Sequence, residues 1–448
     1  MSKRVIIVGS GLVGSLLAIF LRRRGYEVDI YERRGDMRSS QYTAGRSINL
    51  ALSDRGIKAL EAVGAMQRIQ PIAIPMHGRQ IHQADGQEVY QAYGKEGQFI
   101  NSVSRGELNK TLMSLAEEHG ARIHFLHRCQ AIDWSANRIT FLDQGEQEVH
   151  RDADLIFGAD GAFSAARLQY QLQHDRFQYQ QSYIDFGYKE LTIPAAADGG
   201  FLMEKNALHI WPRKNYMLIA LPNPDGTFTC TLFFPFEGDP SFTSLQTDEQ
   251  IRIFFETHFE DATKLMPDVV AQYKANPTSS LVTVKCFPWV KADRFALIGD
   301  AAHAIVPFFG QGMNCGFEDC FVLNELMDKH GEDWMSLLEE YQHLRKPDGD
   351  AIAELALNNF LEMRDRVADP RFLLQKKIEA KIHAKHPDLW VPAYAQVTFS
   401  PHIRYSTAFV NSMRQEAIMQ QVMARPDIEQ TWEHPDVETF IIDKIKTR

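Results

Sequence analysis

Positive charge is in short supply in this sequence: 48 lysines and arginines stand against 58 acids, a formal net charge of −10. That balance argues against a nucleic-acid partner, whose footprint is basic. The one basic cluster, Arg22–Arg24 with Arg33 and Arg34, reads as a solvated helix end. Cysteine is also scarce. Cys129, Cys230, Cys286, Cys315 and Cys320 are odd in number and lack CxxC spacing, which excludes a zinc ribbon or a disulfide framework and fits reduced thiols. No apolar run approaches the roughly 18 residues of a membrane span, and the N-terminus runs straight into a core strand, so no leader is expected. Internal repeats and low-complexity segments are missing too. No nucleophile triad and no metal-ligand spacing is found, and His303, without a partner at such spacing, reads as structural.

What is present begins at once. Arg4-Val-Ile-Ile-Val8 runs into Gly9-x-Gly11-x-x-Gly14, and a helical pattern (Leu16, Leu17, Ile19, Phe20, Leu21) follows. Strand, glycine turn and helix N-terminus together present free backbone N–H groups to a pyrophosphate. The next strand, Glu27–Tyr31, ends at Glu32, where a carboxylate can accept hydrogen bonds from a ribose diol. The unit therefore predicts a dinucleotide fold in a 448-residue chain long enough for two or three domains.

Further along, Gly45–Ser53 predicts a short strand, with Ser53 as N-cap of a helix over 54–63. Arg46 there fits a structural ion pair or a cofactor contact equally. Gly78–His82 and Val89–Tyr93 are strand-like around the turn Asp85-Gly86; on these residues alone Arg79 fits a rim salt bridge and Tyr93 core packing. Ser104-Arg-Gly-Glu107 is a capping box that puts Arg105 in a first helical turn, where the dipole disfavours a cation and an anionic partner is called for. Asp154–Gly161 is a buried-looking strand that breaks at Asp160-Gly161. Residues 176–287 carry antiparallel strands with a hairpin at Pro224-Asp-Gly226. Ala296-Leu-Ile-Gly-Asp300 returns to the nucleotide fold, and Pro307, Gly310, Gly312 and Gly316 shape a loop feeding a second helix N-terminus. Beyond 333 the pattern is helical, with Asn359 on a long helix and Tyr394 in a Pro-bounded connection, 391–399.

The glycine triplet, Asp160-Gly161 and Gly299-Asp300, in this order over about 300 residues, resemble the single-component flavoprotein aromatic hydroxylases. Gly45–Ser53, Leu208–Arg213, Gly299–Asn314 and Val397–Ser400 are similar to the kynurenine-hydroxylating branch of that family. The resemblance implies an α/β fold: an FAD-binding, Rossmann-like domain of the glutathione-reductase type over 1–75, 101–175 and 288–332. It further implies an antiparallel-sheet substrate domain over 76–100 and 176–287, and a helical region over 333–448 that covers the active site. It implies bound FAD with NADPH and O2 as co-substrates. The flavin contacts it implies are Gly9, Gly11, Val13, Gly14, Tyr31, Glu32, Arg33, Arg34, Ala51, Arg105, Asp160, Asp300, Gly312, Met313 and Asn314. Arg79, Tyr93, Asn359 and Tyr394 are implied to hold the substrate's amino-acid end, with Pro307 and Phe308 beside its ring.

The reaction so implied is hydroxylation of L-kynurenine to 3-hydroxykynurenine through a flavin C4a-hydroperoxide, in tryptophan degradation, with no protein acid, base, nucleophile or metal. The mitochondrial members carry a C-terminal membrane anchor, and this chain ends in Lys446-Thr-Arg448 after a helix of soluble character, so a bacterial, cytoplasmic version without an anchor is expected. Two other readings stay open: a sister hydroxylase of another aromatic acid, and a non-catalytic carrier on the same fold, which would lack flavin colour.

Overall fold

The computed structural model describes residues 3–39, 49–93, 97–365 and 369–447, the side chains of 363–365 excepted. Arg46 lies outside the described residues. Strand β1 (Arg4–Val8), helix α1 (Leu12–Arg23) and strand β2 (Glu27–Tyr31) form as the opening pattern predicts. They sit in a six-stranded sheet ordered Val290–Lys291, Phe295–Leu297, Leu155–Gly158, β1, β2, Arg122–His124. All its pairings are parallel except the edge pair Val290–Lys291 with Phe295–Leu297. Parallel strands need both faces covered, and four of the five residues of β1 are accordingly buried.

A seven-stranded sheet forms the second body, in the order Thr278–Phe287, Gln178–Ile193, Phe228–Pro235, Met217–Pro222, Ala207–Pro212, Gly78–His82, Glu88–Ala92. Its pairings are antiparallel except that of Ala207–Pro212 with Gly78–His82. The predicted hairpins form: Asp85 accepts from the Gln87 N–H at 3.0 Å, and Gly226 turns with φ +85°, which glycine adopts freely. Between the bodies, Asn49–Leu52, Ile100–Ser104 and Ala73–Met76 make a small antiparallel sheet. Helices Trp334–Asp365, Pro370–Lys385, Ala393–Thr398, Tyr405–Met423, Ile428–Thr431 and Pro435–Lys446 complete the fold. No helix among the described residues is long and apolar enough to cross a membrane.

Two local expectations need correcting. Ser53 occupies the N-cap position of helix Asp54–Ala62, but its side chain makes no capping bond; its hydroxyl accepts instead from Gln311 Nε2 at 3.5 Å. Tyr394 lies in the six-residue helix Ala393–Thr398, not in an irregular connection.

The outer end of the parallel sheet is tied by charge. Asp29 on β2, its side chain 11% exposed, accepts two bonds from Arg122 at 2.8 and 2.7 Å and one from His124 at 2.8 Å. Burial pushes its pKa up, but the hydrogen bonds from His124 and Arg122 outweigh burial and hold it down at about 2. A folded pKa below the unfolded 3.8 means the stabilisation is complete above about pH 4 and is lost as the pH falls towards 2. Acid titration of unfolding should therefore show about 2 kcal/mol disappearing across that window in the wild type, and a flatter curve for Asp29→Asn.

Candidate active site

Two helix N-termini converge at one place. The glycine turn leads into α1, and Gln311 leads into the helix Gly312–His330; neither start is capped by a side chain, so their first N–H groups and positive dipole ends are available to an anion. They meet through Val13. A Cβ on Gly316 would lie 2.6 Å from Val13 Cγ2, and one on Gly299 3.0 Å from it. Within the turn, a Cβ on Gly14 would fall 2.1 Å from the Gly9 carbonyl oxygen, whereas one on Gly11 would meet nothing within 4 Å. Gly9 and Gly14 thus serve the fold, and Gly11 keeps open the space over the helix start. That donor set and that cradle fit the pyrophosphate of FAD.

The remaining predicted flavin residues surround this seam in different ways. Glu32 accepts from the Ser10 N–H at 3.0 Å and the Arg34 N–H at 2.9 Å, which puts its carboxylate beside the glycine turn. Tyr31 is buried, its ring stacked between His124 and Phe141, its hydroxyl held by Arg151 at 2.9 Å and its carbonyl accepting from the Gly9 N–H at 2.8 Å, so it supports the glycine turn. Asp160 accepts from the Ser164 hydroxyl and from the N–H groups of Ala165 and Ala166, capping the helix Ala165–Leu172; burial raises its pKa against those bonds. Asp300 is half-buried at the first position of the short helix Asp300–His303. Asn314 is fully buried: its amide donates to Ala51 O and Gly310 O and accepts from the Ser53 N–H at 3.0 Å. Met313 is buried next to it, while Arg33, Arg34 and Arg105 are exposed.

On the facing sheet, Arg79 lies beside a pair of aromatic rings. Its guanidinium carbon lies 4.6 Å from the Tyr394 ring and 5.3 Å from that of Tyr93, and the two rings stack on each other at 5.7 Å. Arg79 Nε and the Tyr93 hydroxyl are buried without a hydrogen-bond partner among the described residues. Such groups are costly unless something supplies the missing bonds. Burial pushes the Tyr93 phenol well up, so it stays a neutral donor. Phe309 stacks on Tyr394 at 5.6 Å, and Phe399 meets the same ring edge-on at 6.1 Å. Asn359 donates to the Phe308 carbonyl at 2.7 Å, pinning the turn Pro307–Phe309. Phe308 itself packs away against Phe360 and Phe233, and Pro307 is exposed. The ring that faces the arginine site is therefore Phe309, which sequence reasoning passed over for its neighbour.

A cavity of about 630 Å³ opens elsewhere, lined by Gln80, His82, Glu88, His209 and Asp261 among others. Gln80 and His82 alternate with Arg79 along one strand, so this cavity lies on the opposite face of the sheet. Arg79 and its aromatic neighbours are the stronger candidate, because they carry buried unpaired donors beside the dinucleotide seam.

His303 requires a correction. It does have partners: its Nε2 lies 2.6 Å from Asp319 and its Nδ1 3.8 Å from Cys315 Sγ. These three offer donors at metal-like separations, but Arg345 bonds Asp319 at 2.6 Å and Cys315 Sγ at 3.3 Å. A guanidinium already supplies the positive charge the carboxylate needs. The cluster is structural in role, with Asp319 also accepting from the Gly299 N–H at 3.0 Å and so fixing the turn that precedes Asp300.

Comparison with known proteins gives the family and the fold. Residues 2–356 match the family model described as an FAD binding domain. The chain is 52% identical over 447 residues to kynurenine 3-monooxygenase of Christiangramia forsetii, covering 99% of both chains. It is 50% identical, at the same coverage, to the enzyme of that name in Flavobacterium johnsoniae, and 49% identical to that of Myxococcus xanthus over 90% of this chain and 87% of the relative. Among solved structures, 2-methyl-3-hydroxypyridine-5-carboxylic acid oxygenase superposes with a TM-score of 0.69 at 20% identity, over 90% of this chain and 98% of that one, a likeness of fold.

The two glycines of the cradle should separate in experiment. Gly14→Ala should lower the melting temperature of the apoprotein, because its Cβ collides with backbone. Gly11→Ala should leave that temperature unchanged and reduce the flavin absorbance retained per protein. A Gly11→Ala protein that holds FAD as the wild type does would exclude this cradle as the pyrophosphate site.

Proposed function

The chain belongs to the kynurenine 3-monooxygenase family, and from that premise we propose that it hydroxylates L-kynurenine at the ring carbon beside the amino group. One oxygen atom of O2 enters the product, the other leaves as water, and NADPH supplies the two electrons. Bound FAD supplies the activation of dioxygen. The residues of this chain have the tasks of binding, orienting and drying the substrate.

The observation that carries the assignment of the binding end is Arg79, whose buried Nε, like the Tyr93 hydroxyl beside it, has no hydrogen-bond partner among the described residues. A guanidinium offers a planar fork that matches the α-carboxylate of an amino acid. In this reading Tyr93 donates to the same carboxylate, Tyr394 stacks over the guanidinium, and Asn359 keeps the Pro307–Phe309 turn in place. Phe309, Tyr394 and Phe399 then wall the anilino ring from water. That ring is already electron-rich through its own nitrogen, so no side chain need act as base or nucleophile. The glycine turn, Glu32 and Asp300 hold FAD in this reading, and the domain division at 75, 100, 175, 287 and 332 follows from it. A bacterial cytoplasm is the proposed setting, a reading supported by the bacterial origin of the relatives it matches.

Kynurenine should stimulate NADPH oxidation by the purified yellow protein, and 4-hydroxybenzoate should not; the opposite pattern would reject the substrate. Arg79→Ala should retain flavin and raise the kynurenine KM by roughly ten- to a hundredfold, the worth of one charge-assisted contact. Loss of flavin with unchanged KM would make Arg79 structural.

A further inference from the structure

Arg55 is 1% exposed and stands in the first turn of helix Asp54–Ala62, far from Tyr394 in sequence. Its guanidinium crosses to the C-terminal segment. Nε donates to Val397 O at 2.7 Å, and one terminal nitrogen donates to Gln396 O at 3.2 Å, to Ser400 O at 3.4 Å and to Ile403 O. The other terminal nitrogen pairs with Glu318 at 2.6 Å, and the plane of the group lies over the Tyr405 ring, 4.0 Å from its centroid.

Gln396 and Val397 belong to the helix Ala393–Thr398, which carries Tyr394. Six residues are too few for a helix that is stable on its own, and its last carbonyls have no partner within it. A cation at that end satisfies them and complements the dipole. Tyr394 in turn reaches Arg79 and Phe309. Burying a guanidinium is tolerable only when its charge and its donors are matched, and here Glu318 and the backbone carbonyls match them.

We propose that Arg55 is a positioning residue for the substrate site: by capping the helix that bears Tyr394 it sets that ring over the Arg79 guanidinium. The proposal rests on the kynurenine reading only for the identity of the substrate. Lysine at this position keeps the charge but cannot address Val397, Gln396, Ile403 and Glu318 from one plane, so Arg55→Lys separates geometry from charge.

The test uses the FAD-loaded full chain. Amide hydrogen exchange over residues 390–404 should quicken roughly tenfold or more in Arg55→Lys, while residues 9–24 stay as in the wild type. The kynurenine KM should rise roughly tenfold with kcat within about twofold, and flavin content should not change. Should Arg55→Lys fail to fold, Glu318→Gln, which keeps the arginine and weakens its anchor, should show the same pattern at smaller amplitude. Unchanged exchange over 390–404 overturns the proposal, as does faster exchange with an unaltered KM, or a parallel fall in flavin content and melting temperature with no change in KM. A wild type that ignores kynurenine would sink the substrate reading instead, and the exchange measurement would still decide whether Arg55 holds the Tyr394 helix.

Discussion

A single carboxylate without exposed surface, Asp319, sits where the parts of the candidate active site are joined. It accepts from the Gly299 N–H, from His303 and from Arg345. Leaving a buried carboxylate unmatched would cost several kcal/mol, so the structure around it is strongly constrained. Burial works against ionisation of both His303 and Asp319, but each stabilises the other's charge, pushing the histidine well up and the aspartate down. Arg345 extends the chain to Glu318 and Asp348, and Asp348 extends it to Arg404 and Ser406. Since Glu318 also pairs with Arg55, one continuous set of matched charges runs from the Gly299–Asp300 turn to the segment that holds Tyr394.

Packing does for the cofactor side what charge does for the core. Val13 fills the space that a side chain on Gly299 or Gly316 would need, so α1 and the helix Gly312–His330 approach until their N-termini face one region. Only glycine permits that approach, and only helix starts without side-chain caps leave the donors free. The dinucleotide site is thus a consequence of close backbone packing, with few side chains committed to it.

This division explains what could be read without coordinates. The glycine turn, β2, the two hairpins and the Gly299-Asp300 return are local patterns, in which hydrophobic period, turn residues and spacing are all close in sequence. The helix around Tyr394 is not such a pattern: between Pro392 and Ser400 it owes its end to Arg55, 342 residues from Val397. The partnership of His303 with Asp319 was hidden for the same reason, since it links a strand-end turn to the second turn of another helix. Phe308 and Phe309 are adjacent and chemically equal, so the choice between them belongs to the turn Pro307–Phe309 and to Asn359, which pins it. Tyr31 and Asn314, whose side chains are spent on partners inside the protein, look from sequence like side-chain contacts.

Three arginines near the candidate site differ in how their charge is met. Arg345 and Arg55 each meet at least one carboxylate within 2.7 Å and several further acceptors, so their charge is spent inside the protein. Arg79 has no ion pair among the described residues; its neighbours are the faces of Tyr93 and Tyr394. Aromatic faces give a cation only partial compensation, less than a carboxylate gives in the same surroundings. The remainder is left to solvent or to an anion that fits a planar fork. Arg79 is itself only partly buried, so the two tyrosines shield its Nε while the rest of the fork stays open to solvent or to a ligand.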